Sequence, residues 1–319
     1  MLKIFRTDIF TQAIIILIVA VLMWFHVFVS PQPVPLTGGG QLFYWLTGIL
    51  SPRLATIIAF ILVLVEGFLF NSMLYQNKMI AQNTLIPMLF YVIAMSIGNP
   101  TLTPLLVGNF LLMIAISQLM LTSTLLSLTL DKIFGAATFI ALATLVCPAM
   151  AVFFIPLIFN MFNYSLYSWR DWTMMILGAL APYFILETYF FVTDQLFYRN
   201  YLLFYGFTDF RIQAGGSTIE WVVGIVFLTI LLIGLLAAIG NNQARTINFK
   251  KNITAILIFT IGSLAYTAYT DLIPVPTQAF AFPFACCTTS IFIEPKRKEA
   301  TSNIFFLAII AVFIILNFV

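Results

Sequence analysis

Glu66 lies inside an apolar run from 54 to 75, about 12 residues, or roughly 18 Å of helical rise, from the run's N-terminal end. That is near the middle of a bilayer, where an ionisable side chain is costly and is by default a functional candidate. The alternatives are a protonated, neutral carboxyl or a purely structural polar contact with Asn71, Tyr75 or a neighbouring helix. No second ionisable residue shares that depth, which weighs against proton-coupled transport. A second set gathers further along the chain. Glu187 follows Pro182 and Tyr183 by about one turn, with Tyr189 nearby, and Asp194 comes at the end of the same apolar run. Beyond it, residues 194–219 interleave Phe197, Tyr198, Tyr201, Phe204, Tyr205, Phe207 and Phe210 with Arg199, Asp209 and Arg211. A carboxylate beside two guanidinium groups suits general-base chemistry on a phosphate-bearing head group, because arginine grips phosphate through two parallel hydrogen bonds. Glu187 and Asp194 are the catalytic candidates. Arg199, Arg211, Glu66, Tyr198 and Tyr201 are the substrate-binding candidates. The same aromatic segment equally suits a belt anchored in the head-group layer.

Other chemistries find no support. There is no nucleophile paired with a base, and the Gly38–Gly40 triplet lacks the lysine and helix of a phosphate-binding loop. The only histidine is His26, and Cys147, Cys286 and Cys287 all sit in apolar stretches as small hydrophobes. Neither a metal nor a cofactor is expected.

The elements that position these residues follow from composition. Of 319 residues, 62% are hydrophobic and 8% charged, with mean hydropathy +1.08, whereas a soluble domain is about 45–50% apolar and about 25% charged. An ordinary soluble fold, a disordered chain and a disulfide scaffold are excluded. The net charge of +3 is too small to suggest nucleic acid. At roughly 20 residues per membrane helix, residues 1–319 form a single integral membrane domain with no room for a separate soluble catalytic one. Lys3 and Arg6 precede an apolar run, Phe10 to Val29, that is too long for a signal-peptide core and reads as an uncleaved first span.

Further spans are expected at 54–75, 83–98, 104–121, 172–193, 220–239, 253–270, 278–293 and 302–318. The stretch 134–162 is either one kinked helix or two short ones broken near Cys147-Pro148, since proline removes an amide donor and disfavours helix before it. The two options invert everything downstream, so the positive-inside rule discriminates between them. With a break, eleven of the fourteen basic residues fall on one side and only Arg53, Arg199 and Arg211 on the other. With one helix the partition is six against eight. The break is therefore preferred, with arms of about 14 residues, or about 21 Å, forming a hairpin that falls short of full depth. The fold expected is all-α, a polytopic transmembrane bundle of nine full spans plus one short re-entrant-like hairpin. It lies in the cytoplasmic (inner) membrane, N-terminus cytoplasmic and C-terminus external. Two external interfacial segments follow, 30–53 and 194–219, the first with a short helix over Gln41 to Leu50.

One stretch carries a resemblance. From Ala136 to Glu187 the chain runs short apolar helix, break at Cys147-Pro148, second short helix, the turn Ser168-Trp169-Arg170-Asp171-Trp172, then a long helix with Pro182-Tyr183 in its later part. This is similar to the middle of the GT-C superfamily of membrane glycosyltransferases, which use polyprenyl-phosphate sugars. By hydropathy profile and this turn the chain also resembles an uncharacterised polytopic inner-membrane family of Bacteroidota. The resemblance implies a GT-C-like core and a lipid-linked saccharide or related lipid handled at the outer leaflet during cell-envelope biogenesis. GT-C enzymes carry an acidic catalytic residue in the first external loop, and residues 30–53 contain no Asp or Glu. Either Glu187 or Glu66 takes that role, or the chain is a non-catalytic scaffold or accessory subunit that binds membrane-protein partners. A transporter is the third reading. Expected partners are membrane lipids, a polyprenyl-linked substrate and other membrane proteins.

Overall fold

The computed structural model describes residues 9–35, 38–48, 50–80, 84–97, 100–122, 129–194, 225, 229–234, 236, 247–270 and 278–293. Among them the regular elements are all helical. They are α1 (Ile9–Val29), α2 (Gln41–Thr47), α3 (Pro52–Gln76), α4 (Ile86–Ser96), α5 (Pro104–Leu121), α6 (Thr129–Val146), a 3-10 segment (Pro148–Phe153), α7 (Phe154–Asn163), α8 (Trp169–Val192), α9 (Ile247–Thr270) and α10 (Ala281–Ile293). Five of them, α1, α3, α5, α6 and α8, are long and apolar enough to cross a membrane. The chain is a multi-pass membrane protein.

Helix starts are marked in the sequence by hydroxyl–proline pairs. Ser51 accepts from the Leu54 amide ahead of Pro52, and Thr103 accepts from the Leu106 amide ahead of Pro104. A hydroxyl at the N-cap satisfies a donor the helix leaves open, and proline in the first turn has no donor to lose.

The centre is α4. Ten of its eleven residues are buried, and a helix apolar all round belongs inside a bundle. The run 83–98 was expected to span. Instead it yields a helix of about 16 Å that ends where Ile97 turns extended, well short of a roughly 30 Å hydrocarbon core. It packs on α1, α3 and α10. Two polar contacts pin it to α1. Gln12 Oε1 accepts from the Leu85 amide at 2.7 Å, and Trp24 Nε1 donates to Ser96 Oγ at 2.9 Å. Both contacts advance along the two chains by nearly equal steps, so α1 and α4 run in the same direction.

A second parallel pair is α6 with α8. A Cβ on Gly178 would overlap the Phe134 carbonyl and lie 3.1 Å from Ala137 Cβ. Further along, Thr144 and Tyr183 share a hydrogen bond, and Leu145 clusters with Leu186 and Phe190. In lipid the helices gain nothing from hiding apolar surface, so close approach at small residues replaces that driving force. Alanines at 136, 137, 141 and 143 of α6 are all buried and leave that room.

Parallel helices need a return pass. The chain breaks at Cys147, whose backbone is extended before Pro148, and comes back through the 3-10 segment and α7. With about 2.0 Å per residue for the first and 1.5 Å for the second, the return covers roughly 27 Å. That equals the rise of α6, which has 18 residues rather than the expected 14. The difference is at its start. The apolar run leaves out Asp131 and Lys132, yet an acid in the first helical turn is stabilised by the open amides there, and the helix begins at Thr129. On its far side α7 lies antiparallel to α9, with Asn163 Nδ2 donating to the Lys251 carbonyl and Tyr164 to Asn252 Oδ1. The expected spans 302–318 and most of 220–239 lie outside the described residues.

Two glycines test this packing. Gly178→Ala should lower the thermal midpoint by an amount equivalent to about 1–3 kcal/mol, the usual cost of overpacking. Gly135→Ala, inside α6, should instead stabilise by roughly 0.5–1 kcal/mol, because its Cβ would meet nothing nearer than Gln118 Cγ at 3.7 Å. Thermal unfolding of both variants in one detergent distinguishes them, and equal midpoints would refute the α6–α8 contact.

Candidate functional site

Glu66 is on α3 and fully buried. Its partner is on a neighbouring helix. Tyr91 at the middle of α4 donates to Glu66 Oε2 at 2.9 Å, while Oε1 is buried with no hydrogen-bond partner. The local sequence accounts for the meeting. Gly67 allows α4 close to α3, since a Cβ there would come within 3.1 Å of Met88 and 3.2 Å of Val92. Phe70, one turn after Glu66 on the same helix face, holds the Tyr91 ring at 5.5 Å between centroids. One face of α3 thus grips both ends of one tyrosine. Neither Asn71 nor Tyr75 serves as partner. Asn71 Oδ1 is itself unsatisfied, and Tyr75 is exposed. Sequence reading passed over Tyr91. The available signal was a phenol halfway along an apolar run, at the depth where Glu66 needed a donor.

The second set belongs to the end of the bundle where α1, α6 and α8 finish, called the distal end below. The chain after α1 folds back there. The Gly40 amide donates to the Val146 carbonyl at 2.7 Å, and a Cβ on Gly40 would overlap the Leu145 carbonyl. Only glycine lets backbone meet backbone this closely. The glycine triplet, expected to be a plain turn, thereby caps an open carbonyl at the end of α6. It also seats α2 so that Trp45 packs edge-on against Tyr189 at 5.5 Å and against Phe190 at 6.1 Å.

Glu187 lies inside this assembly. It is half-buried on α8, one turn beyond Tyr183, whose hydroxyl is bound to Thr144. Asp194 is exposed, in the turn that ends α8, with a left-handed backbone at φ 53°, a conformation Asp tolerates better than most residues. Because Asp194 lies beyond Val192, the last residue of α8, the helical repeat does not place it on one face with Glu187. Arg199, Arg211, Tyr198 and Tyr201 lie outside the described residues. The structure therefore places Glu187 and Asp194 together at the distal end and puts Glu66 elsewhere, at mid-depth between α3 and α4.

The turn that carries the family resemblance has a structural task. Ser168 Oγ accepts from the Asp171 amide at 3.2 Å, and Asp171 Oδ2 accepts from the Ser168 amide at 3.0 Å. This reciprocal box starts α8. Arg170 lies over the Trp169 ring, 5.9 Å from its centroid. Among the described residues no three of His, Cys, Asp and Glu gather to hold a metal ion.

Removing one partner of a buried hydrogen bond costs more than removing both. Tyr91→Phe should destabilise the protein by about 1–3 kcal/mol, and Glu66→Leu in the Tyr91→Phe background should recover much of that loss. Thermal midpoints of the single and double variants check this; a double variant no better than Tyr91→Phe would separate Glu66 from Tyr91. Comparison with protein-family models, with curated proteins and with solved structures gives no match, so what the site can do rests on its own geometry.

Proposed function

We propose that this chain handles a lipid-linked saccharide or related lipid at the outer leaflet of the cytoplasmic membrane, as part of cell-envelope biogenesis. In this reading the bundle has a GT-C-like core in which α4, one of the nine expected spans, falls short of full depth and the first arm of the expected hairpin, α6, is long enough to cross, with its N-terminus cytoplasmic and the distal end facing out. The observation that carries it is the distal assembly itself. A half-buried carboxylate, Glu187, lies on α8 within one turn of Phe190, and Trp45 packs against Phe190 and Tyr189 there, at the end of a long apolar helix face. That face is α8, where Leu177, Leu180, Phe184 and Ile185 are each more than half exposed. An isoprenoid chain would lie along it, and the head group would reach the Trp45 and Tyr189 rings. Arg199 and Arg211, with Tyr198 and Tyr201, would bind the phosphate, and Glu187 or Asp194 would act as the base.

A non-catalytic scaffold is the second reading, and one observation favours it. The segment in which GT-C enzymes carry their acid has none here, and its helix α2 is engaged in packing on α6 and α8.

Native mass spectrometry of the protein from mild detergent tests the choice. A polyprenyl-phosphate lipid should co-purify and be lost from the Arg199→Ala, Arg211→Ala double variant. Glu187→Ala should reduce rescue of a deletion strain, with about a 100-fold loss or more in turnover if it is the base. Full rescue by alanine at Glu187, Asp194, Arg199 and Arg211, with a stoichiometric protein partner in place of lipid, would establish the scaffold instead. For the topology, with Cys147, Cys286 and Cys287 replaced, a single cysteine introduced beside Arg170 should resist an impermeant thiol reagent in intact cells. Ready labelling would overturn the orientation.

A further inference from the structure

A cleft opens at mid-depth among α4, α5, α9 and α10, away from the distal assembly. Its polar lining is Tyr91, Asn109, Ser263 and Gln278, and three rings close it, Phe153, Phe259 and Phe282. The space open to the centre of a water-sized sphere is about 20 Å³, enough for one water-sized guest.

The hydrogen bonds around the cleft decide what that guest can be. Tyr91 gives its only hydroxyl hydrogen to Glu66 Oε2. Ser263 gives its own to the Phe259 carbonyl at 3.2 Å. Asn109 Nδ2 donates to the Gln278 carbonyl at 2.9 Å. Tyr91 and Ser263 are left with oxygen lone pairs, and Asn109 with its Oδ1 and the second hydrogen of Nδ2. Gln278 Oε1 accepts from Thr103 at 3.3 Å, so its amide nitrogen and the remaining Asn109 N–H are the donors among three acceptor oxygens. One hydrogen bond behind Tyr91 lies the Glu66 carboxyl, with Oε1 buried and without a partner. Among the described residues the cleft is lined by neither lysine nor arginine. The cationic side chains nearest in sequence, Arg53, Lys78, Lys250 and Lys251, are at helix ends.

We propose that this cleft is an intramembrane binding site for a compact monovalent cation, ammonium or an alkali metal ion, held by the oxygens of Tyr91, Asn109 and Ser263 with Glu66 supplying the balancing charge. An anion would meet the oxygens of Tyr91, Asn109 and Ser263 with the Glu66 carboxyl behind them. A large organic cation would not enter.

The test is ligand-linked stabilisation of the purified protein in detergent. Starting in N-methylglucamine chloride at constant ionic strength, replacement by ammonium, potassium or sodium chloride should raise the thermal midpoint for at least one ion. The rise should saturate at about 2 °C or more. A response to ammonium alone marks recognition by donated hydrogen bonds, and a response to an alkali ion marks direct coordination; both support the site. The rise should vanish in Glu66→Gln or in Tyr91→Phe, and Ser263→Ala, which leaves the Glu66–Tyr91 contact intact, should weaken it at least threefold. Equal midpoints in all four salts would overturn the proposal. So would a rise that survives undiminished in every variant recovered folded. Neither result bears on lipid handling at the distal end, which is tested separately.

Discussion

A polar group inside a bilayer has no water to turn to, so each must be answered by another part of the protein. The helix α4 shows how much of this bundle hangs on that constraint. It is too short to span by itself and has almost no exposed surface. Its place is set by three side chains reaching it from its neighbours. Gln12 meets an open amide at its start, Glu66 meets a phenol at its middle, and Trp24 meets a hydroxyl at its end. Between these pins the packing is apolar and weakly directional. The pins are therefore what selects one register for α1 against α4 and one facing for α3.

The same constraint shapes the distal end. A helix leaves four carbonyls without partners at its C-terminus, and α6 stops abruptly at Cys147-Pro148. The Gly40 amide meets one of those carbonyls. That contact draws the whole segment after α1 over the bundle and brings Trp45 onto α8. The segment after α1 is thus a structural cap on α6 that also orders the aromatic contact of Trp45 with Tyr189 and Phe190.

Legibility from sequence varied with the kind of information each feature needed. Helix starts at Pro52, Pro104 and Trp169 were readable because their caps are local, three residues apart at most. The break at Cys147-Pro148 has a local steric cause as well. The length of α6 was underestimated because an apolar run omits the helix's polar first turn, which holds Asp131. The shortness of α4 was missed because hydropathy reports that a segment avoids water and says nothing of whether lipid or protein surrounds it. Glu66 was recognisable as costly, but its answer came from Tyr91, 25 residues away on another helix.

Composition and charge placement by themselves determined that this is a multi-pass membrane protein built of helices, since 62% hydrophobic residues with 8% charged leave no other stable class. They also determined which few polar residues must matter, because so few were available. Only the tertiary structure decided which of these meet. It joined Glu66 to Tyr91, laid Gly40 on the end of α6, and committed the hydroxyl hydrogens of Tyr91 and Ser263 to partners other than a guest in the cleft they line. The reason is physical. Hydropathy is a sum over residues and can be read along a chain, whereas a hydrogen bond between helices depends on rotation, register and close approach, which no segment carries alone.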